Sequence, residues 1–444
     1  MSDLEGYSGE IKELLESYGV DIGDEIELTV DGERYRGILI GRYELAEPGY
    51  IVIKLSNGYN IGIRIKDKVE IRKISEAKKP GFRASTRPRS YGALPKVTVI
   101  GTGGTIASRI DYRTGGVRPV LTTDDLLSVI PELSSIAELD TNILFSIFSE
   151  DMTQKEWSSI AIKVDEYIRK GVEGVVVAHG TDTMGYSAAA LSFALQKPPI
   201  PIVLVGAQRS SDRPSSDSAS NLMAAVKIAG YASFAEVCVA MHYWHSDDVI
   251  AIHRGTRVRK QHTSSRDAFK SINSEPIAFY RDGEIYINRK GLNPRGGNNY
   301  IFNSNFSDKA SLLKFYPGMS SDILEALWSS GYRGIVIEGT GLGHVARRHI
   351  PVLEKMIKDG VFICMTSQCI YGRVNMRVYS TGRDLLKIGV TPLDDMLPET
   401  AYVKLSWVLA QSTDIDEIRR MMITEMAGEI GERSMPSKVR DPWE

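Results

Sequence analysis

"KVTVIGTGGTIAS", residues 96–108, decides the fold. Lys96–Gly101 is a run of apolar, mostly β-branched residues, which suits a buried strand. It stops at a turn containing Gly101, Gly103 and Gly104, with Thr102 and Thr105 between and after them. Downstream, further apolar runs such as "EGVVVAHG" (173–180) and "IPIVLVGA" (200–207) alternate with helical runs such as "KEWSSIAIKVDEYIRKG" (155–171) and "MGYSAAALSFALQ" (184–196). That alternation predicts an α/β domain with a largely parallel sheet over residues 96–288.

Outward from this domain the grammar changes twice. Residues 289–309 begin with "RKGLNPRGGNNYIFNSNFSD", too polar and Gly/Asn-rich for the pattern, and read as a linker. A second α/β run follows, with "SDILEALWSSGYRGIVIEGTG" (321–341) and "IPVLEKMIKDGVFICMTSQC" (350–369), and predicts a smaller α/β domain over 310–444. On the other side, residues 76–95 form a basic linker interrupted by Pro80, Pro88 and Pro95. It reads as a solvated tether or a nucleic-acid contact. Residues 1–75 combine a short amphipathic helix over 1–15 with short alternating strands. Asp31-Gly32, Pro48-Gly49 and Asn57-Gly58 mark the turns, so a small β-barrel of the SH3 type is expected, as a docking or binding module.

The 444 residues carry a net charge of -2, which argues against a surface that is one continuous polyanion clamp. Cys238, Cys364 and Cys369 are too scattered for a disulfide framework or a zinc site and read as buried thiols of a cytoplasmic protein. The start is acidic, without the apolar core of a signal sequence, and no stretch has the length of a membrane span. His242, His245 and His253 cluster in "MHYWHSDDVIAIHRG", but the H-E-x-x-H pattern is absent, so packing or hydrogen bonding is expected and no metal.

What the glycine turn does is decided by what it lacks. A dinucleotide fingerprint wants a small residue where Ile106 stands, and an acidic residue ending the next strand. Asp124 and Asp125 instead sit in a helix-start pattern. No Lys-Ser or Lys-Thr closes a phosphate loop. The remaining reading is a positioned hydroxyl, since a threonine attacks only if a neighbour takes its proton and backbone N–H groups await the oxyanion. A second turn matches: "HGTDT" (179–183) also follows a buried strand and presents Thr181 and Asp182. In a parallel sheet such turns open on one edge. Either turn alone reads as a structural cap; the pair reads as a site. Lys260, in the polar loop "RGTRVRKQHTSSRD" (254–267), is either a proton shuttle beside Asp182 or one of several solvated cations.

With "TGGTIA" (102–107) and "HGTDT" unchanged and in order, the chain resembles the asparaginase/glutaminase family with a threonine nucleophile. The resemblance covers most of residues 96–430. It implies that Thr105 attacks a side-chain amide, that Thr181, Asp182 and Lys260 form the second catalytic group, and that Tyr112 lies on a mobile loop. It also implies that Ser149 and Glu150 of "FSEDM" grip the substrate's α-groups, and that neither metal nor cofactor is used. Glu150 stands where many members carry glutamine, and Leu342 and His344 of "EGTGLGHV" (338–345) stand where many carry asparagine. The barrel, "VGAQRSSDRPSSD" (205–217), the Lys260 stretch and "TSQCIYGRVN" (366–375) resemble the D subunits of archaeal glutamyl-tRNA(Gln) amidotransferases. That likeness implies glutamine hydrolysis, with ammonia passed to an amidotransferase E subunit that holds ATP and Mg and amidates Glu-tRNA(Gln). It implies a homodimer within a heterotetramer in the cytoplasm, away from membranes. A free-standing L-asparaginase/glutaminase is the alternative, and a non-catalytic binding protein a more distant one.

Overall fold

The computed structural model describes residues 4, 7–41, 49–55, 60–65, 69–75, 94–103, 108–110, 117–119, 123, 126–127, 130–209 and 216–434. Helix α1 (Gly9–Ser17) precedes five strands, β1 (Glu25–Val30), β2 (Glu33–Leu39), β3 (Tyr50–Lys54), β4 (Asn60–Arg64) and β5 (Val69–Ser75). They pair antiparallel in the order β4-β3-β2-β1-β5. The helix begins later than its sequence pattern predicts because Ser8 is extended and Gly9 has a φ of 59°. The β1–β2 turn places both Asp31 and Gly32 at positive φ, 52° and 83°, as a two-residue hairpin turn demands. Ile26, Leu28 and Val30 alternate inward and meet Ile11 and Leu15 of α1 in one buried cluster.

The central body opens with β6 (Lys96–Gly101), a short hairpin of β7 (Ser108–Ile110) and β8 (Val117–Pro119), and β9 (Glu138–Ile143). Then come α2 (Gln154–Arg169), β10 (Gly174–Ala178), α3 (Met184–Ala194), β11 (Leu195–Gln196), β12 (Ile202–Val205) and α4 (Ser218–Tyr231). A last parallel strand, β13 (Val237–His242), is followed by antiparallel additions: β14 (Val249–Arg254), β15 (Val258–Lys260), β16 (Phe269–Ser271), β17 (Ala278–Arg281) and β18 (Glu284–Ile287). The main sheet runs β18-β17-β14-β13-β12-β10-β6-β9; β9, β6, β10, β12 and β13 are parallel, the rest antiparallel. Alternate residues of each strand face opposite layers. Val97, Val99, Val176 and Val203 pack under α4, whereas Ile100, Val175, Val177 and Leu204 pack under α2 and α3. Each such side chain contributes about 1.5–3 kcal/mol on burial, so the strand ends are rigid platforms for the turns beyond them. Helix α2 starts on a capping box, Thr153 with Glu156.

Residues 289–309, expected as a linker, are held against this body. Strand β19 (Ile301–Phe302) pairs with β11, and Arg295 donates to the carbonyls of Ala232, Ala229 and Glu173, each at 2.7 Å. The last body is a parallel sheet β20 (Ala310–Lys314), β21 (Gly334–Gly339), β22 (Phe362–Ser367) and β23 (Thr391–Pro392), interleaved with α5 (Asp322–Ser329), α6 (Ile350–Lys358) and α7 (Ser380–Ile388). Helices α8 (Pro398–Gln411) and α9 (Ile415–Ile423) close it. Val403, Leu405 and Val408 of α8 share one core with Ala189, Ala190 and Phe193 of α3, joining the two sheets. Cys238 and Cys364 are buried and burial pushes their thiols up, but Cys369 is exposed, because it lies in the loop beyond the end of β22. Among the described residues no helix is long and apolar enough to cross a membrane.

Candidate active site

The two glycine turns leave neighbouring parallel strands. Gly101 of β6 is in register with Ala178 of β10. Beyond that pair, Thr102 donates to the Ala178 carbonyl twice, from its backbone N at 3.0 Å and its hydroxyl at 3.0 Å. Thr102 is fully buried and pins the first turn to the strand that leads into the second. Gly103 has a φ of 117°, and a Cβ there would stand 2.0 Å from the Ile147 carbonyl oxygen, so the turn needs glycine both for its conformation and for the close approach. Thr105, the expected nucleophile, and Tyr112 lie outside the described residues, as do Asp124 and Asp125.

The second turn is defined throughout. After β10 the chain passes through His179, Gly180, Thr181 and Asp182 into the N-terminus of α3, where the helix dipole favours negative charge. A Cβ on Gly180 would meet the Ser149 Cβ at 2.8 Å, and Thr183 donates its hydroxyl to the Ser149 carbonyl at 2.6 Å. Ser149 is therefore buried against this turn, and Glu150, the next residue of the same 3-10 turn, is exposed.

Lys260 stands on strand β15, paired with β16, rather than in the polar loop its sequence suggests. The strand lies along α3 because two glycines allow contact. A Cβ on Gly185 would be 3.1 Å from the Val258 carbonyl oxygen, and one on Gly255 would be 2.8 Å from Ser192 Oγ. From there Lys260 Nζ donates to Thr181 Oγ1 at 2.8 Å and to Asp182 Oδ1 at 2.7 Å. An ammonium has only donors, so the Thr181 oxygen accepts from it and the threonine's own proton points elsewhere. The lysine side chain is 14% exposed and the Asp182 side chain 69%, so the cation is sheltered while its counter-charge faces solvent.

The C-terminal body fixes β15 from behind. Arg257, almost fully buried, donates to Asp395 Oδ2 at 3.1 Å and to the Gly428 carbonyl at 2.8 Å. Thr256 donates to the Ala427 carbonyl, and Thr400 donates to the Thr256 carbonyl, both at 2.9 Å. Arg259 pairs with Glu399 at 3.1 Å.

His179, the first residue of "HGTDT", is a further contributor to which the sequence reading gave no role of its own. Its Nδ1 lies 2.6 Å from the Gly180 carbonyl oxygen and so carries the proton, and burial pushes its pKa down to about 4. A third turn after β12 also reaches the corner: a Cβ on Gly206 would be 2.8 Å from Thr181 Cγ2. Its signal, a strand ending in Val-Gly-Ala, is present in the sequence as "IPIVLVGA". The three clustered histidines go separate ways. His242 contacts Asn221 and Asp247, His253 contacts Ser271, and His245 is exposed. Among the described residues no group of three or more His, Cys, Asp or Glu could hold a metal ion.

A Thr-Asp-Lys corner at the carboxyl edge of a parallel sheet, with a second α/β sheet packed behind it, defines a protein of the asparaginase class. Three family profiles match: "Asparaginase, N-terminal" over residues 96–292, "Glutaminase/Asparaginase C-terminal domain" over 309–422, and "GatD N-terminal domain" over 20–74. The L-asparaginase of Thermococcus kodakarensis superposes with a TM-score of 0.68 at 33% identity, covering 76% of this chain and 99% of that one. L-asparaginase I of Vibrio cholerae gives 0.66 at 26%, covering 76% of this chain and 100% of that one. The glutamyl-tRNA(Gln) amidotransferase D subunit of Pyrococcus furiosus is 51% identical over 96% of this chain and 99% of its own length. That of Thermofilum pendens is 49% identical over 97% of each chain. The chain belongs to the family of glutamyl-tRNA(Gln) amidotransferase D subunits.

Proposed function

We propose that this chain is the glutaminase subunit of a tRNA-dependent amidotransferase, a carbon-nitrogen ligase with glutamine as amido donor. Glutamine seats its α-groups on Ser149, Glu150 and Asp182. Thr105 attacks the side-chain carboxamide, backbone N–H groups of the glycine turns hold the oxyanion, ammonia leaves, and water cleaves the acyl-enzyme. The Lys260–Thr181–Asp182 triad relays protons during both steps, which is the task its geometry suits. Ammonia passes to an E subunit, where ATP and Mg activate the γ-carboxyl of Glu-tRNA(Gln); this chain itself needs no cofactor. The working assembly is a homodimer within a heterotetramer in the cytoplasm.

The observation that carries this reading is Lys260 held within 2.7–2.8 Å of both Thr181 and Asp182 in a chain that also carries the "GatD N-terminal domain". A free asparaginase has use for the first and not the second. Ammonia release from glutamine and asparagine, measured for the chain alone and with its partner and Glu-tRNA(Gln), tests it. Glutamine should be preferred and its hydrolysis raised by the charged complex. Vigorous asparagine hydrolysis without the partner would assign the chain to the free enzymes instead.

A further inference from the structure

We propose that His242 stands as a buried imidazolium that ties together the segments on both sides of the Thr181–Asp182 corner, and so serves as a positioning residue for the amidohydrolase centre. The proposal rests on the function proposed above for the consequence to catalysis, and on geometry alone for the charge.

His242 ends β13 and is fully buried. Its Nδ1 lies 2.6 Å from Asn221 Oδ1, and its Nε2 lies 2.8 Å from Asp247 Oδ1. The orientation of the Asn221 amide is decided by its other end. Nδ2 donates to the Gly206 carbonyl and to Asp217 Oδ2, both at 3.0 Å. Turning the amide over would aim its oxygen at two acceptors. The oxygen therefore faces His242, and both ring nitrogens face acceptors. Both must carry protons, and the ring is a cation.

The charges around it balance. Asp247 Oδ1 also accepts from Arg266 Nη1 at 2.8 Å, and Asp217 lies on the far side of Asn221. The residue opposite His242 on β14 is Ile250, and the β12 pairing ends two residues earlier, where Val205 faces Ala240, so both flanking strands offer apolar residues. His245 and Asp248, on the same loop as Asp247, turn to Ser265 and Ser246.

From this hub the network reaches both flanks of the corner. Toward Thr181, Asn221 holds the Gly206 carbonyl, and Asp217 accepts from the backbone N of Gln208 at 3.0 Å and of Arg209 at 2.9 Å. That fixes the turn whose Gly206 abuts Thr181. Toward Lys260, Arg266 ties the segment that follows β15 to Asp247 and to the His245 carbonyl, at 3.1 Å. A neutral ring would leave one of its two contacts facing lone pair to lone pair, and one flank would loosen.

Asp247 is 60% exposed, so Asp247→Asn removes the counter-charge without emptying the core. Ring NMR of the full-length chain labelled with 15N-histidine, at pH 7, should show His242 with both nitrogens protonated, its signal assigned by loss in His242→Gln. In D247N that signal should change to the singly protonated form. Glutamine turnover in D247N should fall about ten- to a hundredfold in kcat, the scale expected of a small misplacement, with KM within about twofold. Asp247→Glu should restore most of it. A singly protonated His242 in the unmodified chain would overturn the proposal, and so would a D247N enzyme with unchanged kcat. If the unmodified chain released no ammonia from glutamine in any assembly, the functional reading would fall, and the NMR arm would still decide the charge on His242.

Discussion

Thr102 closes on Ala178: the hydroxyl and backbone N of the first turn both bond the carbonyl that ends the strand feeding the second. Two corners far apart in sequence become one edge through that contact. Thr102→Val keeps shape and the backbone bond but removes the hydroxyl. It should cost about 1 kcal/mol of stability, read as a lower denaturant midpoint at unchanged m-value, with a larger proportional loss in kcat.

If Thr105 is the nucleophile proposed above, Thr105→Ala should lower glutaminase turnover by at least about a thousandfold. The melting temperature should stay within a few degrees. Retention of near-normal ammonia release would reassign the nucleophile.

Lys260→Met removes the cation shared by Thr181 and Asp182. Loss of a positioned proton-transfer group costs roughly 100- to 10,000-fold, so kcat/KM should drop in that range. Because Asp182 is largely exposed, stability should barely move. A variant within tenfold of the parent would remove Lys260 from the mechanism.

Arg257 and Asp395 are both buried, and they pair at 3.1 Å. Asp395→Leu leaves an uncompensated guanidinium in the core and should cost about 3–5 kcal/mol. The double variant with Arg257→Leu should recover part of that loss in thermal unfolding. An additive double variant would show that the two act independently.

The stability of the chain should fall on mild acidification. Burial pushes the pKa of His179 down to about 4 and that of His253 to about 3, from an ordinary 6.5. Between those values and 6.5 the unfolded chain binds more protons than the folded one, so stability rises with pH across that window and is lost as pH drops through it. His179 alone accounts for roughly 3 kcal/mol. His179→Asn, which keeps a donor for the Gly180 carbonyl, should flatten the acid limb of a stability–pH curve. An unchanged slope would mean that the ring titrates alike in the folded and unfolded chain.

Much of the fold was legible because strand and helix periods are local. Val175–Val177 read as a buried strand whatever surrounds them, and Gly101 and Gly180 mark its kind of ending. The dipeptide Asp31-Gly32 specified a hairpin because only such residues accept two successive positive φ angles cheaply. Lys260 was harder. Its neighbours Arg257, Arg259 and Gln261 are polar and suggested a loop, whereas the segment is a strand because Gly185 and Gly255 let it lie along α3 and because Arg257 finds Asp395, 138 residues away. Cys369 could not be told from the buried cysteines, since composition does not say where a strand ends.

The sequence by itself determined the alternation of strands and helices, the two Gly-Thr corners and the family they mark. Those are properties of short segments and their chemistry. Only the tertiary structure decided that Lys260 reaches both Thr181 and Asp182, that His179 is buried neutral, and that His242 sits between two acceptors. Each depends on distances between segments far apart along the chain, which are set by which side chains pack together and not by any local period.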